Sequence, residues 1–255
     1  MRAILKIIIS LILAIIMVAS FAGCDSNSDN KNSTPEEKQV WLLYKQKHVS
    51  HDSEATYYYN EYGNVIKIVY SDKSGNWQSE HTNEYDENQN LIKTTVDTGD
   101  GTPFVQLIQA YDDKGNLIER RELVGGEAVY TYQYDEQNRR ISTSSDGSII
   151  ETYTYESDGS YKLQETGFPD EYVLYHSNGR IKEIVSSTSI RTIYTYNENW
   201  VLLDIAWYRD DVLYKRKVYT LDENGNPAKC TEINSLGAET VLYETEYKLY
   251  TVKTK

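Results

Sequence analysis

The chain has 255 residues, a formal net charge of −13 at pH 7, and 24 tyrosines against 3 phenylalanines. An acidic surface argues against nucleic acid as a partner, because nucleic-acid binding rewards Lys and Arg. Tyrosine in place of phenylalanine is typical of strands whose side chains keep one polar end hydrated, and not of a dry core.

Residues 1–23 predict a secretory signal peptide. Arg2 and Lys6 form a positive head, and the uncharged stretch 7–23 is slightly shorter than the roughly 18 residues of a membrane-spanning helix. The residues Phe21-Ala22-Gly23-Cys24 resemble the lipobox of bacterial lipoproteins, although Phe21 stands where that box usually has Leu or another aliphatic residue. The resemblance implies that Cys24 is acylated and anchors the chain in the lipid bilayer. An ordinary cleaved signal followed by an unrelated cysteine is the alternative.

Residues 24–38 predict the lipidated cysteine and a disordered tether. The segment is polar and contains Pro35, so we expect an r.m.s. span of about 20 Å between bilayer and folded domain. Acyl chains contribute about 0.8 kcal/mol per buried methylene, so we expect a lipid-anchored protein on the extracytoplasmic face of the cell membrane. With Cys24 acylated, Cys230 has no partner for an intrachain disulfide and is expected to be a small core residue.

Residues 39–255 predict one repetitive domain. An anchor residue followed by a turn rich in Asp, Asn and Gly recurs eight times, 20 to 26 residues apart. The anchors are Tyr59, Tyr85, Tyr111, Tyr134, Tyr155, Tyr175, Tyr196 and Leu221. A drifting period of this length indicates a repeat array.

The turn after each anchor has the chemistry of a type I turn followed by a bulge. Such a turn favours Asp or Asn at its first position and Gly, in a left-handed conformation, at its fourth. The predicted turn-forming residues are Gly63, Asp112, Gly115, Gly159, Gly179, Asp222 and Gly225. Asn138 takes the left-handed position at modest cost, whereas Gln89 and Trp200 predict two distorted turns.

Short alternating segments rich in Tyr, Thr and Ile flank these turns and predict strands. A second, looser turn lies between successive anchors, so each repeat supplies two strands. The predicted fold is all-β: an elongated, coiling antiparallel β-meander of about sixteen strands built from eight hairpin repeats. Its open edges would start near Trp41 and run to the lysine-rich C-terminal strand. The predicted core residues are Ile66, Ile68, Leu117, Ile181, Ile184, Leu203 and Ile205.

The motif Tyr-Asp-x-x-Gly-(Asn or Arg)-(Leu or Ile), with Tyr-x-Tyr before it, resembles the YD repeats of Rhs and wall-associated proteins. Residues 111–117 and Gly179-Arg180-Ile181 carry the likeness most clearly, and it extends over roughly 52–231. In that family the repeats build spiralling β-sheets on bacterial surfaces, and some enclose a C-terminal toxin domain. This chain departs from the toxins of that family because its predicted strands are too few to enclose another domain. The resemblance therefore implies a small lipid-anchored relative.

Neither catalysis nor a cofactor is predicted. The four histidines do not form a metal-binding spacing, and two EF-hand-like starts, at Asp86 and Asp222, lack the Gly and the closing Glu that a calcium loop needs. We therefore predict no metal site, no cofactor and no enzyme. Weak calcium binding is the alternative for the two acidic turns.

The aromatic residues are the stronger candidates for a binding role, because flat Tyr and Trp faces stack on sugars. The candidates are Trp77, Trp200, Trp207, Tyr132, Tyr153 and Tyr194. Cross-strand packing would explain repeated tyrosine equally well. The leading prediction is a non-enzymatic, membrane-anchored surface lipoprotein, acting as a scaffold or protein-binding module in the bacterial envelope. The alternative is a cell-wall or host glycan-binding protein that uses a Tyr/Trp face.

Overall fold

The computed structural model describes residues 36–49, 52–187 and 189–254. The predicted signal peptide, Cys24, most of the predicted tether and His51 lie outside these residues. Within them the chain is all-β, and no helix is long and apolar enough to span a bilayer.

The described residues form eighteen strands, which follow one another along the chain. They are β1 (Glu37–His48), β2 (Ser53–Tyr59), β3 (Val65–Asp72), β4 (Trp77–Tyr85), β5 (Leu91–Asp97), β6 (Phe104–Tyr111), β7 (Leu117–Glu122), β8 (Ala128–Tyr134), β9 (Arg140–Ser145), β10 (Ser148–Tyr155), β11 (Tyr161–Glu165), β12 (Tyr172–Tyr175), β13 (Ile181–Ser187), β14 (Ile190–Tyr196), β15 (Leu202–Arg209), β16 (Val212–Leu221), β17 (Pro227–Asn234) and β18 (Glu239–Lys253).

Each strand pairs antiparallel with the next, so the predicted antiparallel meander is confirmed. The predicted elongated shape and the count of about sixteen strands are wrong. β1 and β18 pair over eleven residue pairs, from Glu37 with Lys253 to His48 with Tyr243, and this pairing closes the sheet into an 18-stranded barrel. Closure follows from the twist of neighbouring strands, and it satisfies the backbone groups that two open edges would expose.

The eight predicted turns all lie at one end of the barrel, which we call the YD rim. They join β2 to β3, β4 to β5 and so on to β16 and β17, and the remaining connections form the opposite, second rim. β1 begins and β18 ends at the YD rim, where the backbone N–H of Lys253 donates to the carbonyl of Glu61 at 2.7 Å.

The turn at Asp112 shows the chemistry that recurs around the YD rim. The N–H of Gly115 donates to the Asp112 carbonyl at 3.0 Å. The Asp112 carboxylate accepts from the N–H groups of Lys114 and Asn116 at 2.9 and 2.8 Å. The Asn116 side-chain amide also donates to this carboxylate at 2.8 Å, and that bond, followed by the backbone bonds, lowers the pKa of Asp112. Gly115 has a φ of 82°, the left-handed conformation that the turn requires.

The predicted distortion at Gln89 and Trp200 is wrong. Both residues are left-handed, with φ of 62° and 58°, and both keep the turn hydrogen bond to the first residue at 3.0 Å. The backbone therefore holds a side chain in a conformation that favours Gly, and it does so without changing the turn. The same hydrogen-bond pattern also forms at the second rim, in the turns that begin at Asp72 and Asn234.

A β-bulge after most of these turns decides which residues reach the core. Tyr59 pairs with Val65 but Tyr58 pairs with Lys67, so Ile66 is the extra residue and is exposed. The prediction of Ile66 as a core residue is therefore wrong, because the bulge resets the alternation. Ile184 and Ile205 are buried as predicted, and Ile68, Leu117, Ile181 and Leu203 are half-buried.

Two apolar clusters fill parts of the barrel. One contains Leu43, Ala55 and Tyr57, and the other contains Leu163, Val173 and Ile184. Cys230 is fully buried and its thiol is free, so the prediction of a core cysteine is confirmed.

The anchor tyrosines form a ladder of side-chain hydrogen bonds near the YD rim. Six of the seven donate their hydroxyl to a backbone carbonyl on the preceding strand, at 2.6 to 3.0 Å. The pairs are Tyr59 with Leu43, Tyr85 with Val65, Tyr111 with Leu91, Tyr134 with Leu117, Tyr155 with Arg140, and Tyr196 with Ile181. Tyr175 stacks on Tyr161 instead, and Thr245 donates to the Pro227 carbonyl. The polar end of each ladder tyrosine thus meets the backbone of the neighbouring hairpin.

Candidate functional site: an interior cavity lined by tyrosine and arginine

A cavity of about 370 Å³ lies inside the barrel, against the inner faces of β6 to β12. Its polar lining consists of Gln109, Arg120, Glu122, Tyr130, Tyr132, Arg140, Thr143, Glu151, Tyr153, Tyr161 and Tyr175. Two of the predicted ligand-binding aromatics, Tyr132 and Tyr153, therefore face the same space. Tyr194 packs against the neighbouring apolar cluster of Leu163, Val173 and Ile184.

The alternation of side chains along each strand decides which charged residues face this cavity and which face the outer wall. On β7, Arg120 and Glu122 line the cavity, whereas Arg121 lies between them in sequence and pairs with Glu119 at 2.6 Å on the opposite face. The bulge after the Asp135 turn separates two adjacent arginines in the same way. Arg139 stays in the turn and pairs with Asp135, and Arg140 begins β9 and faces the cavity.

Arg120 and Glu122 form an ion pair of 2.6 Å within the cavity. The Arg120 Nε is buried and has no hydrogen-bond partner among the described residues. Apart from this nitrogen, the positive charge of Arg120 and the negative charge of Glu122 neutralise each other.

Arg140 lies among aromatic rings. Its guanidinium carbon is 4.3 Å from the centre of the Tyr132 ring and 5.8 Å from that of Tyr153, and one of its nitrogens donates a long hydrogen bond of 3.5 Å to the Tyr134 hydroxyl. Such positions favour a cation over an aromatic face. No carboxylate of residues 36–49, 52–187 or 189–254 lies within ion-pair distance of Arg140.

Glu151 faces the cavity from β10 and accepts a hydrogen bond from the Tyr153 hydroxyl at 3.2 Å. It pairs across the strands with Glu165, so two carboxylates share this part of the inner face.

Burial raises the pKa of the cavity tyrosines. It brings the pKa of Tyr132 and Tyr161 to about 12 and raises the pKa of Tyr153 as well. The hydroxyls therefore stay protonated near neutral pH. They can donate and accept hydrogen bonds, but they offer no ready base for proton abstraction.

The three predicted tryptophans are not brought together. Trp77 lies on β4 and its ring covers Gly99, whereas Trp207 lies on β15 with the Lys215 ammonium 5.1 Å from its ring. Trp200 lies in the turn between β14 and β15, 4.9 Å from the His176 ring. None of the three lines the interior cavity.

Trp200 instead contributes to a smaller cavity of about 160 Å³ at the YD rim. Trp41 of β1 lines it too, together with Arg180 and several turn asparagines. The sequence analysis placed Trp41 at an open edge and not at a cavity, because its position next to Trp200 depends on closure of the barrel.

No group of His, Cys, Asp or Glu among the described residues is arranged to hold a metal ion. The carboxylate of Asp86 accepts hydrogen bonds from Asn90, and that of Asp222 from Asn226, so both acidic turns use their oxygens for turn capping. His81 packs edge-on against Tyr70 at 5.2 Å, and burial lowers its pKa.

Comparison with known families agrees with the repeat chemistry. Residues 111–149, which run from the end of β6 into β10, match the family described as RHS Repeat. The predicted resemblance to YD repeats is confirmed, while the lipoprotein signal stays a prediction. Among curated proteins the comparison finds no match.

Several solved structures are similar at low identity. A TcdB2-TccC3 structure without its hypervariable C-terminal region is 14% identical with a TM-score of 0.35, covering 74% of this chain and 10% of that one. The Tc holotoxin pore of Photorhabdus luminescens is 14% identical with a TM-score of 0.31, covering 76% and 9%. A porin-like protein from Bacteroides uniformis is 12% identical with a TM-score of 0.42, covering 85% and 96%. The chain thus spans about a tenth of the length of the toxin structures.

Proposed function

We propose that this chain, which carries an RHS repeat at residues 111–149, is a non-enzymatic protein-binding or scaffold module in the bacterial envelope. Acylated Cys24 would hold it at the extracytoplasmic face of the cell membrane. The repeat chemistry supports the scaffold part of the proposal, because turns, bulges and ladder tyrosines serve to build and stiffen a wall.

The outer wall supplies the observation that carries the protein-binding part. The bulge residue after several YD turns is an isoleucine, and Ile66, Ile118 and Ile141 are exposed by 36%, 41% and 39%. They lie on β3, β7 and β9 at the same distance from the YD rim, and Ile92 holds the equivalent place on β5. Alternate strands are roughly 10 Å apart, so these side chains form an apolar row. Exposed apolar rows of this kind mark protein contacts.

Site-specific photo-crosslinking in intact cells tests the proposal. A photoreactive residue at position 118 should give a discrete crosslinked protein, and Ile66→Ser with Ile141→Ser should abolish it. The control position is Thr131, which is exposed on β8. No crosslink at position 118, or the same crosslinks at position 131, would contradict the proposal.

Glycan binding is the second candidate, and the cavity at the YD rim favours it. Trp41 and Trp200 offer flat faces, and asparagine side chains line the same space. Binding to purified peptidoglycan and to a glycan array should weaken in Trp200→Ala and Trp41→Ala. Trp207→Ala is the matched control, because Trp207 lies on β15 away from this cavity. Binding that is unchanged in all three variants would exclude the cavity as a glycan site.

A further inference from the structure

Two oppositely charged side chains face the interior cavity without a charged partner. Arg140 enters from β9 and Glu151 from β10, and both line the cavity. Among the described residues, no carboxylate lies within ion-pair distance of Arg140, and no Lys, Arg or His lies within that distance of Glu151. Their contacts are with tyrosine hydroxyls and rings.

This arrangement differs from the other charges of the cavity and of the outer wall. Arg120 pairs with Glu122 inside, and Arg121 pairs with Glu119 outside. A charge that is withdrawn from water without a partner costs free energy, and a ligand that supplies the opposite charge removes this cost. Among the described residues that line the cavity, Arg140 and Glu151 are therefore the charged side chains without an oppositely charged partner.

The uncharged lining of the cavity sets a third requirement for a ligand, besides its negative and its positive group. Tyr132, Tyr153, Tyr161 and Tyr175 contribute rings, and Leu163 and Val173 contribute apolar surface. A volume of about 370 Å³ falls in the range of small-molecule sites. Aromatic walls favour a ligand with a flat or apolar body, and they also attract an ammonium group.

We propose that this cavity binds a small zwitterion, an α-amino acid or a short peptide with an apolar ring. The ligand's carboxylate contacts Arg140, its ammonium contacts Glu151, and its ring packs on the tyrosines. The cavity reaches the second rim, since Glu122 ends β7 and Tyr130 lies near the start of β8, so a small molecule enters from that end. The proposal concerns the inside of the barrel and does not depend on the binding surfaces proposed for its outer wall and YD rim.

Calorimetric titration of the full chain in detergent tests the charge requirement directly. The probes are phenylalanine, N-acetylphenylalanine, which lacks the ammonium, and phenylalaninamide, which lacks the carboxylate. We expect phenylalanine to bind, and each derivative to bind at least about tenfold more weakly, because a charge-assisted hydrogen bond is lost in each case.

Paired variants assign each charge to its residue. Arg140→Gln should weaken phenylalanine binding about tenfold or more and leave phenylalaninamide unchanged. Glu151→Gln should weaken phenylalanine similarly and leave N-acetylphenylalanine unchanged. Arg121→Gln and Glu119→Gln, which change the outer wall, should leave all three affinities as they are. Arg140→Lys is the second variant, used if Arg140→Gln folds poorly. It keeps the positive charge, so it should retain part of the affinity for phenylalanine.

The ligand series decides the proposal even without the variants. Equal affinity for the three compounds would overturn it, as would a requirement for one charge alone. Absence of phenylalanine binding up to about 10 mM, where the binding free energy falls below a few kcal/mol, would overturn it as well.

Discussion

The hydroxyl of Tyr85 donates a hydrogen bond of 2.8 Å to the backbone carbonyl of Val65. Tyr85 ends β4 and Val65 begins β3, so this contact joins one YD turn to the one before it. The same link recurs at Tyr59, Tyr111, Tyr134, Tyr155 and Tyr196, and it explains why tyrosine and not phenylalanine precedes these turns. The hydroxyl donates to a carbonyl beside the bulge, and at Val65 the side-chain amide of Asn83 donates to the same oxygen at 2.8 Å.

Removing one hydrogen bond of the tyrosine ladder should destabilise the barrel. Tyr85→Phe keeps the ring but removes one of two side-chain donors to the Val65 carbonyl, the other being the Asn83 amide at 2.8 Å. We therefore expect the free energy of unfolding to fall by roughly 0.5 kcal/mol. Urea unfolding followed by circular dichroism measures the change. Tyr58→Phe is the matched control, because Tyr58 is 44% exposed. A loss in the control as large as in Tyr85→Phe would contradict the role of the ladder.

The left-handed turn position should be sensitive to a single methyl group. An added Cβ at Gly115 meets no atom within 4 Å, so the cost of Gly115→Ala comes from its φ of 82°. We expect about 1 kcal/mol of destabilisation in urea unfolding. Gly101→Ala serves as the control, since Gly101 also has open space around it and is not left-handed. That variant should be neutral or slightly stabilised, and equal losses in both would count against the turn argument.

Stability should fall as the pH is lowered from 7 to 5. Burial lowers the pKa of His81 and of His176 in the folded chain, so the unfolded chain binds protons first as the pH falls below its ordinary histidine value. The stabilisation is present above that value and is lost toward the lower folded pKa.

The double variant His81→Gln, His176→Gln should flatten this dependence, and each single variant should flatten part of it. Thermal unfolding at matched ionic strength across the pH range provides the measurement. An unchanged slope in the double variant would show that other groups carry the effect.

Deleting the first strand should open the barrel. Without residues 36–48, the edges of β2 and β18 lose their partners, and exposed edges pair with other chains. We expect oligomers or aggregates in size-exclusion chromatography, together with a lower urea midpoint. A deletion of residues 1–35 alone is the control. A monomer with unchanged unfolding after loss of β1 would show that the closing strand pair is dispensable.

Local chemistry made the turns and strands predictable, because Asp112 and Gly115 act within five residues of each other. Closure could not be predicted this way: the pairing of Glu37 with Lys253 joins distant parts of the chain and leaves no local sign. The cavity charges were missed for a related reason. Arg139 and Arg140 look equivalent in sequence, and the bulge between turn and strand decides that the second one faces inward.

The antiparallel contact between β1 and β18 also restricts how such a protein can change in size. An all-antiparallel ring needs an even number of strands, and one YD hairpin contributes two. Duplication or loss of a whole hairpin therefore keeps the ring closable with every strand direction intact. Loss of a single strand would make the first and last strands parallel, so they could not form the antiparallel pairing that closes the ring. Barrels of this kind therefore gain or lose strands in whole hairpins.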